Sequence, residues 1–125
     1  MSELKFTNDH ECIKIEGDVA WVGITKYAQE ALGDLVFVEL PEVGKQIKKG
    51  EEFAVVESVK TAAEVYSPVD GEVVEANDNM ESDLELITKD VGDGGWIAKI
   101  KISDPSQLEA LMDEAAYSEF LKTVD

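Results

Sequence analysis

Apolar and polar positions alternate in short runs along most of this chain, and nearly every run stops at Gly, Pro or an acidic turn. Residues 10–16 alternate imperfectly and end at Gly17-Asp18, and 19–24 (Val-Ala-Trp-Val-Gly-Ile) follow at once, which predicts a hairpin. Residues 34–40 return to the strand pattern, broken by Pro41 and Gly44. Phe53-Ala54-Val55-Val56, the stretch from Val65 to Pro68, and residues 72–75 give further short strands, with a turn at Val69-Asp70-Gly71. Residues 96–102 alternate cleanly, with Trp96, Ala98, Ile100 and Ile102 on one face. Helical spacing is confined to short pieces. Thr25 is a cap and Gly33 a stop for 26–32, with Tyr27, Ala31 and Leu32 on the buried face. Asp104-Pro105 opens a second helix carrying Leu108, Leu111 and Met112. A third begins near Asp113 and carries Ala116, Tyr117, Phe120 and Leu121. Residues 76–85 are polar and predict a loop with at most one helical turn. The sum is a β-rich fold with peripheral helices.

Charge narrows the function classes. The 125 residues carry 28 acids against 11 bases, a formal charge of −17, and every base is Lys. Phosphate-rich partners, nucleic acid or anionic membrane, need basic patches that this composition lacks. The acidity suits partners with basic docking faces. One cysteine, Cys12, excludes an internal disulfide and points to a reducing compartment. No apolar run is long enough to span a bilayer, and no signal or transit pattern is visible, so a bacterial-type cytoplasmic protein is expected. His10 is the sole histidine. Beside it, Glu11 and Cys12 make a weak metal set, and His10 and Cys12 share a strand face from which Glu11 points away. Both are taken as structural, and with one His, one Cys and no Arg, no catalytic constellation is assigned.

The chemistry-bearing stretch is Glu57-Ser58-Val59-Lys60-Thr61-Ala62-Ala63-Glu64. A lone lysine lies between two strand-like runs, with no Gly, Asn or Asp to supply positive φ. A type I turn tolerates these residues and sends the Lys60 side chain into solvent. Gly50 and Gly71 lie almost equidistant on either side, so a hairpin centred on Lys60 is predicted. An exposed amine on a rigid tip is a place to attach a group covalently. The plain alternative is an ordinary surface lysine.

Glu57-Ser58-Val59-Lys60 with Gly71 downstream resembles the lipoyl-attachment hairpin of the glycine cleavage system H-protein family. So do Val22-Gly23-Ile24-Thr25, Tyr27-Ala28-Gln29, Leu32-Gly33-Asp34, Val36-Phe37-Val38 and Leu40-Pro41-Glu42-Val43-Gly44, in order. Gly95-Trp96, Lys99-Ile100-Lys101, Leu111-Met112 and Tyr117 extend the resemblance to nearly the whole chain. It implies a barrel-sandwich hybrid of the lipoyl and biotinyl domains, one lipoyl-carrier domain over 1–125, and a monomer. It implies lipoic acid in amide linkage to Lys60, and Glu57, Ser58, Val59, Thr61 and Glu64 as the surface recognised by a lipoylating enzyme. It also implies a non-catalytic shuttle. Glycine decarboxylase (P protein) loads an aminomethyl group on the arm, aminomethyltransferase (T protein) unloads it, and dihydrolipoyl dehydrogenase (L protein) reoxidises the dithiol. The loaded arm folds back into a surface cleft.

The sequence departs from the family pattern in two places. Cys12 stands where an aromatic residue, usually Trp, is found. Near 84–95 the family usually has Pro, Asn and a Pro-Tyr pair, whereas Asp90-Val91-Gly92-Asp93-Gly94-Gly95 is looser, beside the surface where the arm rests. A biotin carrier would flank its lysine with Met, and a lipoyl domain of a 2-oxo acid dehydrogenase would show Asp-Lys-Ala and a linker; neither is present. A lipoyl or octanoyl relay in lipoate assembly remains the alternative within this fold. A pure interaction module would leave Lys60 unmodified.

Overall fold

The structure is a computed structural model that describes residues 3–7, 10–89, 91 and 94–123. It is mainly β. Six strands form one antiparallel sheet in the order β1 (Glu3–Phe6), β2 (Glu11–Glu16), β3 (Val19–Ile24), β9 (Trp96–Ile102), β8 (Gly71–Ala76), β5 (Gln46–Ile47). Three form the other: β4 (Leu35–Glu39), β6 (Glu52–Ser58), β7 (Ala62–Tyr66). The sheets face each other across a core of small branched residues, with Val22, Val38, Val56, Val65, Val73 and Ile100 essentially inaccessible to water. This is the barrel-sandwich hybrid that the alternating runs and the resemblance lead to.

Local signals were accurate where a side chain closes its own hydrogen bond. The Thr25 hydroxyl accepts from Ala28 N–H and opens α1 (Lys26–Leu32), and Gly33, at φ 80°, closes it. Asp113 accepts from Ala116 N–H at the start of α3 (Glu114–Leu121). The polar stretch after β8 holds a single turn, α2 (Asn79–Ser82), and then a 3-10 segment over Leu84–Thr88.

Three expectations are corrected. Asp104-Pro105 starts a 3-10 turn, Pro105–Ala110, rather than an α-helix. Leu111 is extended there because Met112 is drawn into a two-way backbone bridge with Phe6 at the sheet edge. The strand after the lysine ends at Tyr66, and Pro68 to Asp70 make the turn. Gly71 does not turn the chain. It is the buried first residue of β8, pressed against the β9 backbone. In α1, Tyr27 and Ala31 are exposed and only Leu32 is buried, because the helix overhangs a groove it does not fill.

His10 precedes β2 instead of lying in it, and its φ of 68° is the one positive value at a non-glycine among the described residues. Its ring packs on Tyr27 at 4.4 Å, and its Nδ1 is 2.8 Å from the Tyr117 hydroxyl. That hydroxyl also pairs with Thr25 Oγ1 at 2.8 Å. Cys12 is half-buried opposite Phe6, whose ring stacks on Tyr117 at 4.8 Å, so an aromatic from the neighbouring strand covers this corner. Among the described residues, no three His, Cys, Asp or Glu side chains are grouped to hold a metal.

Burial pushes the Tyr117 hydroxyl above its ordinary value of 10.0, against a smaller opposing contribution from the Thr25 hydrogen bond. The folded state therefore favours the neutral phenol. This contribution is complete below pH 10.0 and is lost as pH rises through the higher folded value. Tyr117→Phe should cost about 1–2 kcal/mol near neutrality, from leaving Thr25 and His10 short of a partner. It should also lose the part of the alkaline destabilisation that Tyr117 causes. Urea unfolding at pH 7 and through pH 11 checks both, and equal stability of the two proteins at pH 7 would refute the first.

Candidate functional site: the Lys60 hairpin and its groove

β6 and β7 pair in register from Glu57 opposite Ala62 inward, leaving Ser58, Val59, Lys60 and Thr61 to cross between the strands. Ser58 explains why this tip does without Gly or Asn. Its hydroxyl accepts from Lys60 N–H and Thr61 N–H, both at 3.1 Å, and donates to Thr61 C=O at 3.2 Å. Ser58 N–H also donates to Thr61 C=O at 2.7 Å. One buried hydroxyl thus holds two N–H groups that a primed turn would have arranged through positive φ. Val59 N–H reaches Asp34 C=O at 3.2 Å, which ties the tip to the start of β4. The tip is exposed and internally bonded, and Lys60 extends from it into solvent. A Cβ placed on Gly33 would lie 3.5 Å from Lys60 Cε and 3.7 Å from Nζ. The lysine stem therefore passes close to the glycine that ends α1, within ordinary van der Waals range of a Cβ placed there.

Of the residues expected to form a recognition surface, Val59, Thr61 and Glu64 are exposed, Glu57 is half-buried, and Ser58 is buried. Ser58 therefore shapes the tip from within, while the others present side chains around Lys60.

Two grooves flank the hairpin. One, of about 200 Å³, runs between α1 and β7 and is walled by Ile24, Tyr27, Ala28, Leu32, Val56 and Val65. It is almost wholly apolar, and it accounts for the exposed apolar side of α1. The other, between β4 and the segment Leu84–Thr88, is lined by Asp34, Asp83, Glu85 and Lys89 and is polar. The looser segment 88–95 meets the second groove through Lys89 rather than the first; Asp90, Gly92, Asp93 and the Thr88 side chain lie outside the described residues.

Glu11 was not anticipated as part of a site. Its side chain is on the inner face of β2, 3% exposed, and it lines the apolar groove. One carboxylate oxygen accepts from Thr7 Oγ1 at 2.8 Å and the other from Tyr66 N–H at 3.1 Å. Its opposition to Cys12 on the strand was the available signal, since an inward-facing acid next to a buried isoleucine needs partners. A carboxyl group on an apolar wall favours a cation or hydrogen-bond donor placed beside it.

An exposed lysine on a rigid tip, next to an apolar trough, can accept an acyl chain and then shelter it. The glycine cleavage H-protein family profile matches residues 4–124. A glycine cleavage system H protein of Parvibaculum lavamentivorans is 55% identical over 124 residues, covering 99% of both chains. One from Thermotoga maritima is 53% identical over 120 residues, 96% of this chain and 97% of that one. The crystal structure of a glycine cleavage system H protein from Mycobacterium marinum superposes with a TM-score of 0.86 at 36% identity, covering 96% of this chain and 97% of its own. With its architecture matched as well as its sequence from end to end, the chain belongs to the glycine cleavage H-protein family.

Proposed function

We propose that this protein is the lipoyl-bearing carrier of the glycine cleavage system. Lys60 bears lipoic acid in amide linkage and carries the aminomethyl group of glycine from glycine decarboxylase to aminomethyltransferase, with dihydrolipoyl dehydrogenase closing the cycle. The carrying observation is Lys60 at a tip fixed by Ser58 and flanked by an apolar groove. The lipoyl group supplies a disulfide that opens to take a group on sulfur and is reclosed by oxidation.

The chain's own residues supply position and shelter. The Ser58 hydrogen bonds hold the point of attachment still, so that different enzymes meet one geometry. The walls of the α1 groove accept an aliphatic chain and exclude water from it. Glu11 places a carboxyl group on the same wall, suited to a cationic amine. His10 and Cys12 are engaged in packing at this corner, which supports a role as a non-catalytic component whose partners do the chemistry. The reducing cytoplasm suits a chain with a single cysteine.

The test is glycine–bicarbonate exchange catalysed by glycine decarboxylase with the lipoylated protein as acceptor. Exchange is expected with the parent and should be absent with Lys60→Arg. A fully lipoylated parent that supports no exchange would overturn the shuttle and favour the relay in lipoate assembly.

A further inference from the structure

The pairing of β4 with β6 slips between Leu35 and Phe37, so Val36 is an extra residue in the strand. Alternation fails there, and two consecutive apolar side chains face solvent, Val36 at 56% and Phe37 at 48% exposure. Val59, next to Lys60, is 70% exposed, and its N–H is bonded to the Asp34 carbonyl just before the slip. The register puts Phe37, Glu57 and Ala62 in one outward row and Glu39, Val55 and Glu64 in the next. The outer face of the small sheet thus interleaves apolar and acidic side chains, and its largest exposed apolar pair, Val36 and Phe37 on the edge strand β4, follows the Asp34 carbonyl that holds Val59 beside Lys60. Of the other exposed large apolar residues, Leu4 and Val74 lie on the other sheet, Val43 in a loop, and Tyr27 on α1.

We propose that this face, centred on Val36, Phe37 and Val59 and rimmed by Asp34, Glu39 and Glu57, docks the enzyme that acylates Lys60, and that the enzyme meets it with an apolar patch ringed by Lys or Arg. This rests on the reading of Lys60 as the acyl acceptor. Reach selects this enzyme among the partners. Enzymes that act at the far end of the arm can stand off by the arm's length. The acylating enzyme must bring Nζ itself to an activated acyl carbonyl, such as an acyl-adenylate. There the C–N bond forms, the acyl C–O bond breaks, AMP leaves with the electron pair, and the nitrogen loses a proton. Its surface must therefore meet the ground beside the tip, where Val59 adjoins Lys60 and is bonded to the Asp34 carbonyl just before Val36 and Phe37. Charge selects its chemistry: a rim of carboxylates in a chain of formal charge −17 pairs with bases. The slip also bends β4, so the face offers side chains rather than a flat edge for strand addition.

The experiment measures initial rates of acylation by a lipoate–protein ligase supplied with ATP and lipoate. The acceptors are the parent, Val36→Ser with Phe37→Ser, Val43→Ser and Lys60→Arg. The double variant should lose about tenfold or more in kcat/KM, with kcat recovered at saturating acceptor, as when apolar anchors leave an interface. Val43→Ser should match the parent, and added salt should lower the parent's kcat/KM. Hydrogen exchange of the parent should slow at residues 35–39 when the ligase binds, a readout independent of how the variant folds. An acylated parent with an equally good double variant, or no protection at 35–39, overturns the docking proposal alone. A folded parent that takes no acyl group overturns the reading of Lys60 and the docking proposal with it.

Discussion

Lys60→Arg, isolated from cells supplied with lipoate, keeps its unmodified mass, whereas the parent gains about 188 Da, the mass of lipoate less the water lost in forming an amide. The expectation is all-or-none because no neighbouring group can substitute. Arginine preserves charge and nearly preserves length, but its guanidinium stays protonated and is no acyl acceptor. The chain's other lysines lack this tip, whose two N–H bonds to Ser58 hold Lys60 at the crossing between β6 and β7. Folding should be unaffected, because the side chain is exposed and makes no hydrogen bond that holds the turn. A gain of about 126 Da would identify octanoyl and about 226 Da biotin, by the same condensation. An equal gain in the variant would remove Lys60 from the site, and no gain in the parent beside an active ligase would leave an interaction module.

The second large effect is on stability. Gly71→Ala should destabilise the fold by about 3 kcal/mol or more, a large share of the ~5–15 kcal/mol typical of a whole protein. The cause is contact, not conformational freedom, since Gly71 has no positive φ. A Cβ there would collide with the Lys101 carbonyl oxygen and lie 2.7 Å from Ile100 Cγ2. The first is strand backbone and cannot move aside without parting β8 from β9 at their paired end, Gly71 opposite Ile102. Gly17→Ala makes the useful contrast. Gly17 has φ of 62° with nothing within 4 Å of a Cβ, so only backbone strain of about 1 kcal/mol applies. Urea unfolding of both variants decides the matter. Similar costs would mean that β8 and β9 separate more readily than their packing implies.

These two positions also mark how far residue patterns carry. Lysine between two strand-like runs is a local arrangement, and the hairpin was legible from those runs, although Gly71, read as one of its flanking turns, lies within β8. The caps of α1 and α3 were legible for the same reason. The role of Ser58 in holding the tip was not legible. Gly71 was misjudged as a turn because its neighbour on β9 is thirty residues away along the chain (Lys101 against Gly71) and leaves no mark nearby. The same holds for the 3-10 turn at Pro105, whose propensity yields to the pairing of Met112 with Phe6. Glu11 and the slip at Val36 escaped too. A strand pattern shows that side chains alternate, but it does not show where a partner strand makes alternation fail or where an acid finds its donors. The apolar groove was hidden in plain view: Tyr27 and Ala31 lie on one side of α1, but that side lines the groove, with His10 against Tyr27, instead of being buried in the core.

The order of pairing has a consequence for how the protein is made. β4, β6 and β7 are consecutive apart from the two-residue β5, so the lysine hairpin and its docking face draw only on the middle of the chain. β3, in contrast, pairs with β9, and Phe6 with Met112, so the larger sheet cannot close until synthesis is nearly finished. The groove needs both halves, because Glu11 and Ile24 come from the early strands and Val56 and Val65 from the hairpin sheet. The strands of the lysine hairpin thus leave the ribosome before β9, which β3 needs as its sheet partner. If Lys60 bears the proposed arm, only the finished protein offers the groove that would shelter it.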